Sequence, residues 1–327
     1  MANQPAQKTE NKKEDQQAIV LTDPKIAADK LKTVRDFLRH AVSRFTEANL
    51  FYGHGTFTPY DEAAYLVLEG LNLPIDQLEP FLDARLLPQE REKLAQLIHD
   101  RVTTRKPLPY LLKRAWLAGV PFYVDERVIV PRSYIAELLN TEIVSGDDLS
   151  LIADPWAISS VLDLCTGSGC LAILAAHTFP EAAVDAVDLS PDALEVAKIN
   201  VEDSLHKDRI ALYQGDLFAP LKGKTYDLII TNPPYVDAED MQDMPEEYLH
   251  EPEMALAAGD DGLDIVHRIL KDAPAHLNDE GIMVLELGYG GDALQAAYPD
   301  TTFNWLDTEN STGEVFWLSK QQLEDLA

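Results

Sequence analysis

Asp227-Leu228-Ile229-Ile230-Thr231-Asn232-Pro233-Pro234-Tyr235 is the stretch on which the reading of the chain turns. Its apolar half predicts a buried strand over 227–230, and its two prolines end that strand. Each proline lacks an N–H, and the proline that follows drives Asn232 and Pro233 out of the helical region. Asn232 is thereby left at the carboxyl end of a strand, where open α/β sheets bind ligands. The proline carbonyls stay free to accept hydrogen bonds, and Tyr235 offers a flat ring just beyond. An asparagine oxygen, a proline carbonyl and an aromatic face make a socket for a planar NH2 group. The same residues also fit a plainer reading, a proline-terminated strand with a packed tyrosine.

Outward from that strand, the chain alternates strands with helices from about Ser160, which predicts a parallel sheet. The strand candidates are 160–164, 183–187, 210–213, 227–230 and 282–286, and helices begin near Gly169, Pro191, Gly262 and Asp292. The chain closes with 302–306 and 314–318, joined by a segment containing Asn310-Ser311-Thr312-Gly313. That connection is too short for a parallel crossover, so the last strand is expected to pair antiparallel. The fold class is then α/β, with the sheet layout of Rossmann-like class I methyltransferases rather than that of dehydrogenases.

Asp163-Leu164-Cys165-Thr166-Gly167-Ser168-Gly169-Cys170 joins the first of these strands to its helix. Gly167 and Gly169 let backbone approach a ligand, and the helix start behind them presents free N–H groups. Gly167-x-Gly169-x-x-Ala172 also satisfies a dinucleotide fingerprint, so the glycines indicate a nucleotide-like ligand without choosing one. Asp163 suits a ligand ammonium better than a pyrophosphate, and S-adenosylmethionine carries an amino-acid moiety with such an ammonium. Asp188, about twenty residues on at the next strand end, is placed to bind ribose hydroxyls, the alternative being a cap for the helix at Ser190-Pro191. Asp216-Leu217, after the third strand, is a candidate for the adenine amino group and one ring face, or a simple loop aspartate.

In that setting the Asn232 socket faces a methyl donor. An exocyclic base amine or a carboxamide nitrogen has a delocalised lone pair and is a poor nucleophile. Carbonyl acceptors from Asn232 and Pro233 would hold its two N–H groups, and Tyr235 would stack on its plane. Positioning and electrostatics then carry the reaction with no metal.

The rest of the chain sets bounds. Residues 1–22 are polar and predict a disordered tail. Residues 23–105 predict a small helical bundle. One helix opens at Asp23-Pro24 and carries Ile26, Leu31, Val34, Leu38, Ala41, Val42 and Phe45, a second is capped by Thr58 with Pro59 and Asp61, and a third covers 89–104. A glycine-punctuated loop, Phe51-Tyr52-Gly53-His54-Gly55, lies between the first two. Residues 106–150 read as a linker with a hairpin of Ala115-Trp116-Leu117 and Phe122-Tyr123-Val124 joined by Ala118-Gly119-Val120-Pro121, a helix from about Ser133, and a solvated loop Ser145-Gly146-Asp147-Asp148. Residues 151–327 form the expected catalytic domain. No apolar run is long enough to cross a bilayer, and the two cysteines, Cys165 and Cys170, fit neither a zinc site nor a redox pair. A reducing cytoplasm is the expected setting. With 27 basic and 56 acidic residues the net charge is −29. Such a surface repels nucleic-acid phosphate and attracts basic proteins.

These motifs together resemble the HemK group of class I methyltransferases, which methylate glutamine side-chain amides at N5 with S-adenosylmethionine as cofactor. The resemblance covers about residues 25–320 and rests on Asp163 to Gly169, Asp188, Asp216-Leu217 and Asn232-Pro233-Pro234-Tyr235. Phe51 to Gly55, and the segment from Val236 to Met241 and from Tyr248 to Glu253, resemble the branch acting on large-subunit ribosomal protein L three rather than its sister branch, which acts on peptide-chain release factors. The resemblance implies that Asn232 and Pro233 bind the glutamine amide, that Cys165, Thr166, Gly167, Ser168, Gly169 and Asp188 bind the cofactor, and that the N-terminal bundle helps to recognise the protein substrate. Leu217 departs from a tryptophan that the sister branch can carry, so the adenine contact is expected to be thinner. Asn-Pro-Pro-Tyr also serves nucleobase amino methyltransferases, but Asp237, Glu239, Asp240, Asp243, Glu246 and Glu247 follow the motif and would repel DNA or RNA. A non-catalytic ribosome assembly scaffold is the remaining alternative. Cofactor binding separates it from the enzyme.

Overall fold

The computed structural model describes residues 23–141, 143–144, 151–308 and 311–326. The expected tail, the loop 145–148 and Asn310 lie outside the described residues. The chain divides into two compact units, one ending at Leu112 and one running from Lys113. The hairpin expected to belong to a linker therefore falls within the second unit.

The first unit is helical: α1 (Pro24–Lys30), α2 (Val34–Glu47), α3 (Pro59–Gly70), α4 (Pro88–Thr104) and the short α5 (Leu108–Leu112). The single helix expected from Pro24 to Phe45 is two. Leu31 is extended, and Thr33 starts α2 with a capping box. The Thr33 hydroxyl accepts from the Asp36 N–H, and the Asp36 carboxylate accepts from the Thr33 N–H. This local exchange satisfies two donors at the new helix start and outweighs continuity of the apolar stripe. The α3 cap is as expected, with Thr58 accepting from Asp61 N. Phe37, Phe45, Leu66, Leu94 and Ile98 fill the core between these helices. Beside them Arg101 and Glu62, both almost fully buried, pair at 2.5 Å. Arg101 also donates to the Phe51 carbonyl, and Thr56 to Glu62, which ties the glycine-punctuated loop to α3 and α4.

The second unit opens with a hairpin, β1 (Ala115–Leu117) and β2 (Val120–Phe122). Its turn is only Ala118-Gly119, both at positive φ, so β2 starts two residues before the strand read from the sequence. The helix expected from Ser133 is the short α6 (Ile135–Leu138). Then come β3 (Ser160–Leu164), α7 (Cys170–Thr178), β4 (Ala183–Asp188), α8 (Pro191–Asp203), β5 (Ile210–Gln214), β6 (Tyr226–Thr231), α9 (Ala238–Asp243), α10 (Asp264–Asp272), β7 (Leu277–Glu286), α11 (Gly291–Ala297), β8 (Asn304–Leu306), β9 (Val315–Ser319) and α12 (Lys320–Glu324). Among the described residues the large sheet has seven strands in the order β5-β4-β3-β6-β7-β9-β8. The pairs from β5 to β7 are parallel, and β9 is antiparallel to both neighbours. This is the Rossmann-like class I methyltransferase sheet expected above.

Successive residues of the central strands feed two separate cores. Val161, Leu228, Ile230 and Val284 join the cluster around α7, whereas Leu162, Leu164, Ile229, Met283 and Leu285 join the one around α10. A strand covered on both faces reads as an unbroken apolar run, which is why 227–230 carried the strand signal so plainly. The strand order turns about β3 and β6. Their carboxyl ends, with that of β4, open into the site.

Candidate active site

A cavity lies at these strand ends, where open α/β sheets bind their ligands. Cys165 and Gly167 line it after β3, Asp188 after β4, Asp216 and Leu217 after β5, and Asn232 and Pro234 after β6. Five of the proposed cofactor residues and the proposed catalytic asparagine thus meet in one space.

Thr166, Ser168 and Gly169 do not line the cavity; they hold the loop that does. A Cβ on Gly167 would meet nothing within 4 Å, whereas one on Gly169 would press on Ala197 of α8 at 3.2 Å. Both glycines have positive φ, as does Cys165. The first glycine therefore keeps the cavity wall bare and the second lets two helices approach. Ser168 is fixed through its carbonyl, which accepts from Asn200 Nδ2 at 2.8 Å.

Asp163, expected with its surroundings to favour a ligand ammonium, does not itself reach the cavity. It is fully buried. Its Oδ2 accepts from Thr166 Oγ1 and from the Ala172 N–H at 2.9 Å, so it braces the loop against the first turn of α7. Burial pushes its carboxyl up to about 7, against the pull of those two donors. Asp188 does face the cavity. Its Oδ2 accepts from Gly167 N and its Oδ1 from Ser190 N, each at 2.8 Å, while the Ser190 hydroxyl caps α8. Each oxygen of Asp188 keeps a further acceptor site for a hydroxyl. Asp216 is held by Arg268 at 2.6 Å, and Arg268 itself lines the cavity.

Asn232 is oriented from behind. Its Nδ2 donates to Glu286 Oε1 at 3.0 Å and to the Arg132 carbonyl at 3.3 Å. The Arg132 carbonyl only accepts, as does Glu286 when ionised, so the amide nitrogen faces them and Oδ1 is the atom left for a ligand. The Pro233 carbonyl receives no hydrogen bond among the described residues, as expected from the double proline. Pro233 is buried and does not line the cavity. The Tyr235 ring, expected to stack on the acceptor plane, also lies outside the lining. It packs on Gly288, where a Cβ would fall 2.6 Å from its ring, and its carbonyl lies against Gly262, where a Cβ would fall 2.4 Å away.

Arg132 and Glu251 form a bidentate pair at 2.6 and 2.7 Å, and Glu251 also accepts from Val130 N. The Arg132 guanidinium lies over the Tyr248 ring at 5.3 Å. This pair fastens the segment after the hairpin to the loop that follows the proline turn. The sequence reading missed Glu286, Arg268, Arg127 and Gly288. Glu286 had a signal, since it ends a predicted strand in the same way as Asp188. Arg268 had none, because nothing in a helical arginine says which loop it will reach. Arg127 is held by Asp125 at 2.8 Å and lines the cavity, and its guanidinium keeps the Asp125 carboxyl well below the usual carboxylate range.

Residues 149–262 match the methyltransferase small domain model. A ribosomal protein uL3 glutamine methyltransferase of Bradyrhizobium diazoefficiens is 54% identical over 92% of this chain and 94% of its own length. Proteins of the same description from Neisseria meningitidis serogroup B and Bordetella pertussis are 54% and 52% identical, over 91% and 90% of this chain and 96% and 97% of theirs.

Proposed function

The chain belongs to the ribosomal protein uL3 glutamine methyltransferase family, and on that premise we propose that it methylates the side-chain amide nitrogen, N5, of a glutamine in large-subunit protein uL3. The observation that carries the reading is the fixed orientation of Asn232, whose oxygen is available at the cavity while its nitrogen is tied to Glu286 and Arg132. A glutamine NH2 has two N–H groups to place. Asn232 Oδ1 is an acceptor at the cavity. The Pro233 carbonyl, which lies behind the lining and accepts from no other backbone group among the described residues, is the second acceptor this reading assigns. Accepting from both raises electron density on a nitrogen whose lone pair is otherwise delocalised. Pro234 and Tyr235 shape the turn, and the proton leaves after transfer, so no side chain has to act as a base.

S-adenosylmethionine supplies the methyl group when bound, and the donor set fits it. The bare backbone at Gly167 gives it room, Asp188 has acceptor sites for the ribose hydroxyls, and Asp216 with Leu217 suits the adenine amino group and ring. Cys165 lines the same wall, and Asp163, Thr166, Ser168 and Gly169 hold the loop in place. We assign residues 23–105 to recognition of the protein substrate and 151–327 to catalysis, in the cytoplasm where ribosomal proteins are made. The net charge of −29 favours a basic ribosomal protein and disfavours nucleic acid. No helix among the described residues is long and apolar enough to cross a membrane.

The test is a labelled-methyl assay on purified uL3. Asn232→Ala should lose at least about a hundredfold in turnover, the scale for removing an oriented polar group from a reacting centre, while cofactor affinity changes little. Unchanged turnover would defeat the socket.

A further inference from the structure

We propose that Glu286 is the positioning residue of this site, setting which end of the Asn232 amide faces the substrate; the inference rests on the glutamine reading above. An asparagine amide is nearly symmetric in shape, and packing alone does not choose between its two orientations. Only one of them is useful here. With the nitrogen turned to the cavity, the site would present a donor to a substrate NH2 that also donates.

The choice is made by hydrogen-bond polarity along a short chain of groups. Glu286, at the end of β7, is almost completely buried. Its Oε2 is surrounded by donors: the Ser133 hydroxyl, Tyr134 N at 2.9 Å and Ile135 N at 3.5 Å. Its Oε1 is the atom that receives Asn232 Nδ2. The start of α6 thus fixes the carboxylate, the carboxylate fixes the asparagine, and the Arg132 carbonyl seconds the same orientation. With Glu286 ionised, every link pairs a donor with a group that has no proton to give, so the chain runs in one sense only.

Replacing Glu286 by glutamine changes one atom and reverses that sense. Three donors already crowd the Oε2 position, so the new NH2 must take the Oε1 position and point at Asn232. Two NH2 groups would then face each other. The asparagine escapes by turning over, which offers its nitrogen to the substrate. A second substitution tests the polarity directly. In Asn232→Asp with Glu286→Gln, the glutamine NH2 donates to one aspartate oxygen and the other oxygen faces the cavity as an acceptor. In Asn232→Asp alone, two carboxylates meet instead.

The experiment measures, at about pH 8 where Glu286 is ionised, kcat and KM for methyl transfer to uL3, cofactor affinity by calorimetry and melting temperature for wild type, E286Q, N232D and the double variant. The expected result is a fall in kcat of at least about tenfold for E286Q, the scale of a lost hydrogen bond to a charged group, with KM for the protein and cofactor affinity within about threefold of wild type. The double variant should exceed each single variant in kcat by about fivefold or more. If E286Q or N232D does not fold, comparison of the double variant with the remaining single variant decides. An E286Q enzyme with wild-type kcat overturns the inference, and so does a double variant no better than its singles. A wild-type protein that transfers no methyl to glutamine removes the functional reading and this inference with it, whereas loss of the variant effects alone removes only the inference.

Discussion

Asp188 holds the fold and faces the cavity together. Its two oxygens accept backbone N–H groups from the glycine loop and from the start of α8, so it fixes both walls of the cavity that it lines. Asp188→Ala should weaken cofactor binding by more than about tenfold, the loss of charged hydrogen bonds, read by calorimetry. An unchanged dissociation constant would reduce Asp188 to a loop brace. Asn232 and Asp188 were legible in the sequence because each ends an apolar run, and strand ends are where such a sheet puts its ligands. The burial of Asp163 was not legible. It stands three residues from Thr166 and nine from Ala172, and only the folded turn shows that both donors close on the same oxygen.

Among the elements, the sheet was read almost strand for strand, since buried parallel strands are continuous apolar runs broken by turn residues. The helical unit was read less well. The break before α2 rests on one threonine and one aspartate that the apolar spacing of Leu31, Val34 and Leu38 outweighs on paper. Between elements, the Arg132–Glu251 pair joins segments 119 residues apart in sequence. Glu251 is fully buried in its side chain, so Glu251→Ala leaves a half-buried guanidinium uncompensated and should cost on the order of 3 kcal/mol, measured by urea unfolding. A change below about 0.5 kcal/mol would mean that solvent takes over the role of the carboxylate. Two acids at strand ends add a pH dependence. Burial raises Asp163 from 3.8 and Glu286 from 4.5, each to about 7. Their protonated forms are favoured in the fold, so their contribution to stability is whole below the unfolded values and is lost as pH rises through about 7. The melting temperature should fall between about pH 5 and pH 8, with a shallower fall in Glu286→Gln. A rising or parallel profile would show that neither acid holds a proton in the fold.

At the scale of the whole molecule, charge and site chemistry select the same substrate. The excess of 29 acidic charges repels nucleic acid, and the acidic residues after Tyr235 put part of that charge next to the socket in sequence. A basic protein bearing a glutamine meets both conditions. The proposed division of labour between the two units is the part least legible in the sequence, because a helical bundle with apolar spacing specifies its own core and not its partner. The most direct measurement is tandem mass spectrometry of uL3 incubated with this protein and S-adenosylmethionine. One added methyl group on the side-chain nitrogen of a single glutamine, absent with Asn232→Ala, is the predicted result. Methyl groups on other residue types or on ribosomal RNA, or none on uL3 from an enzyme that binds the cofactor, would contradict it.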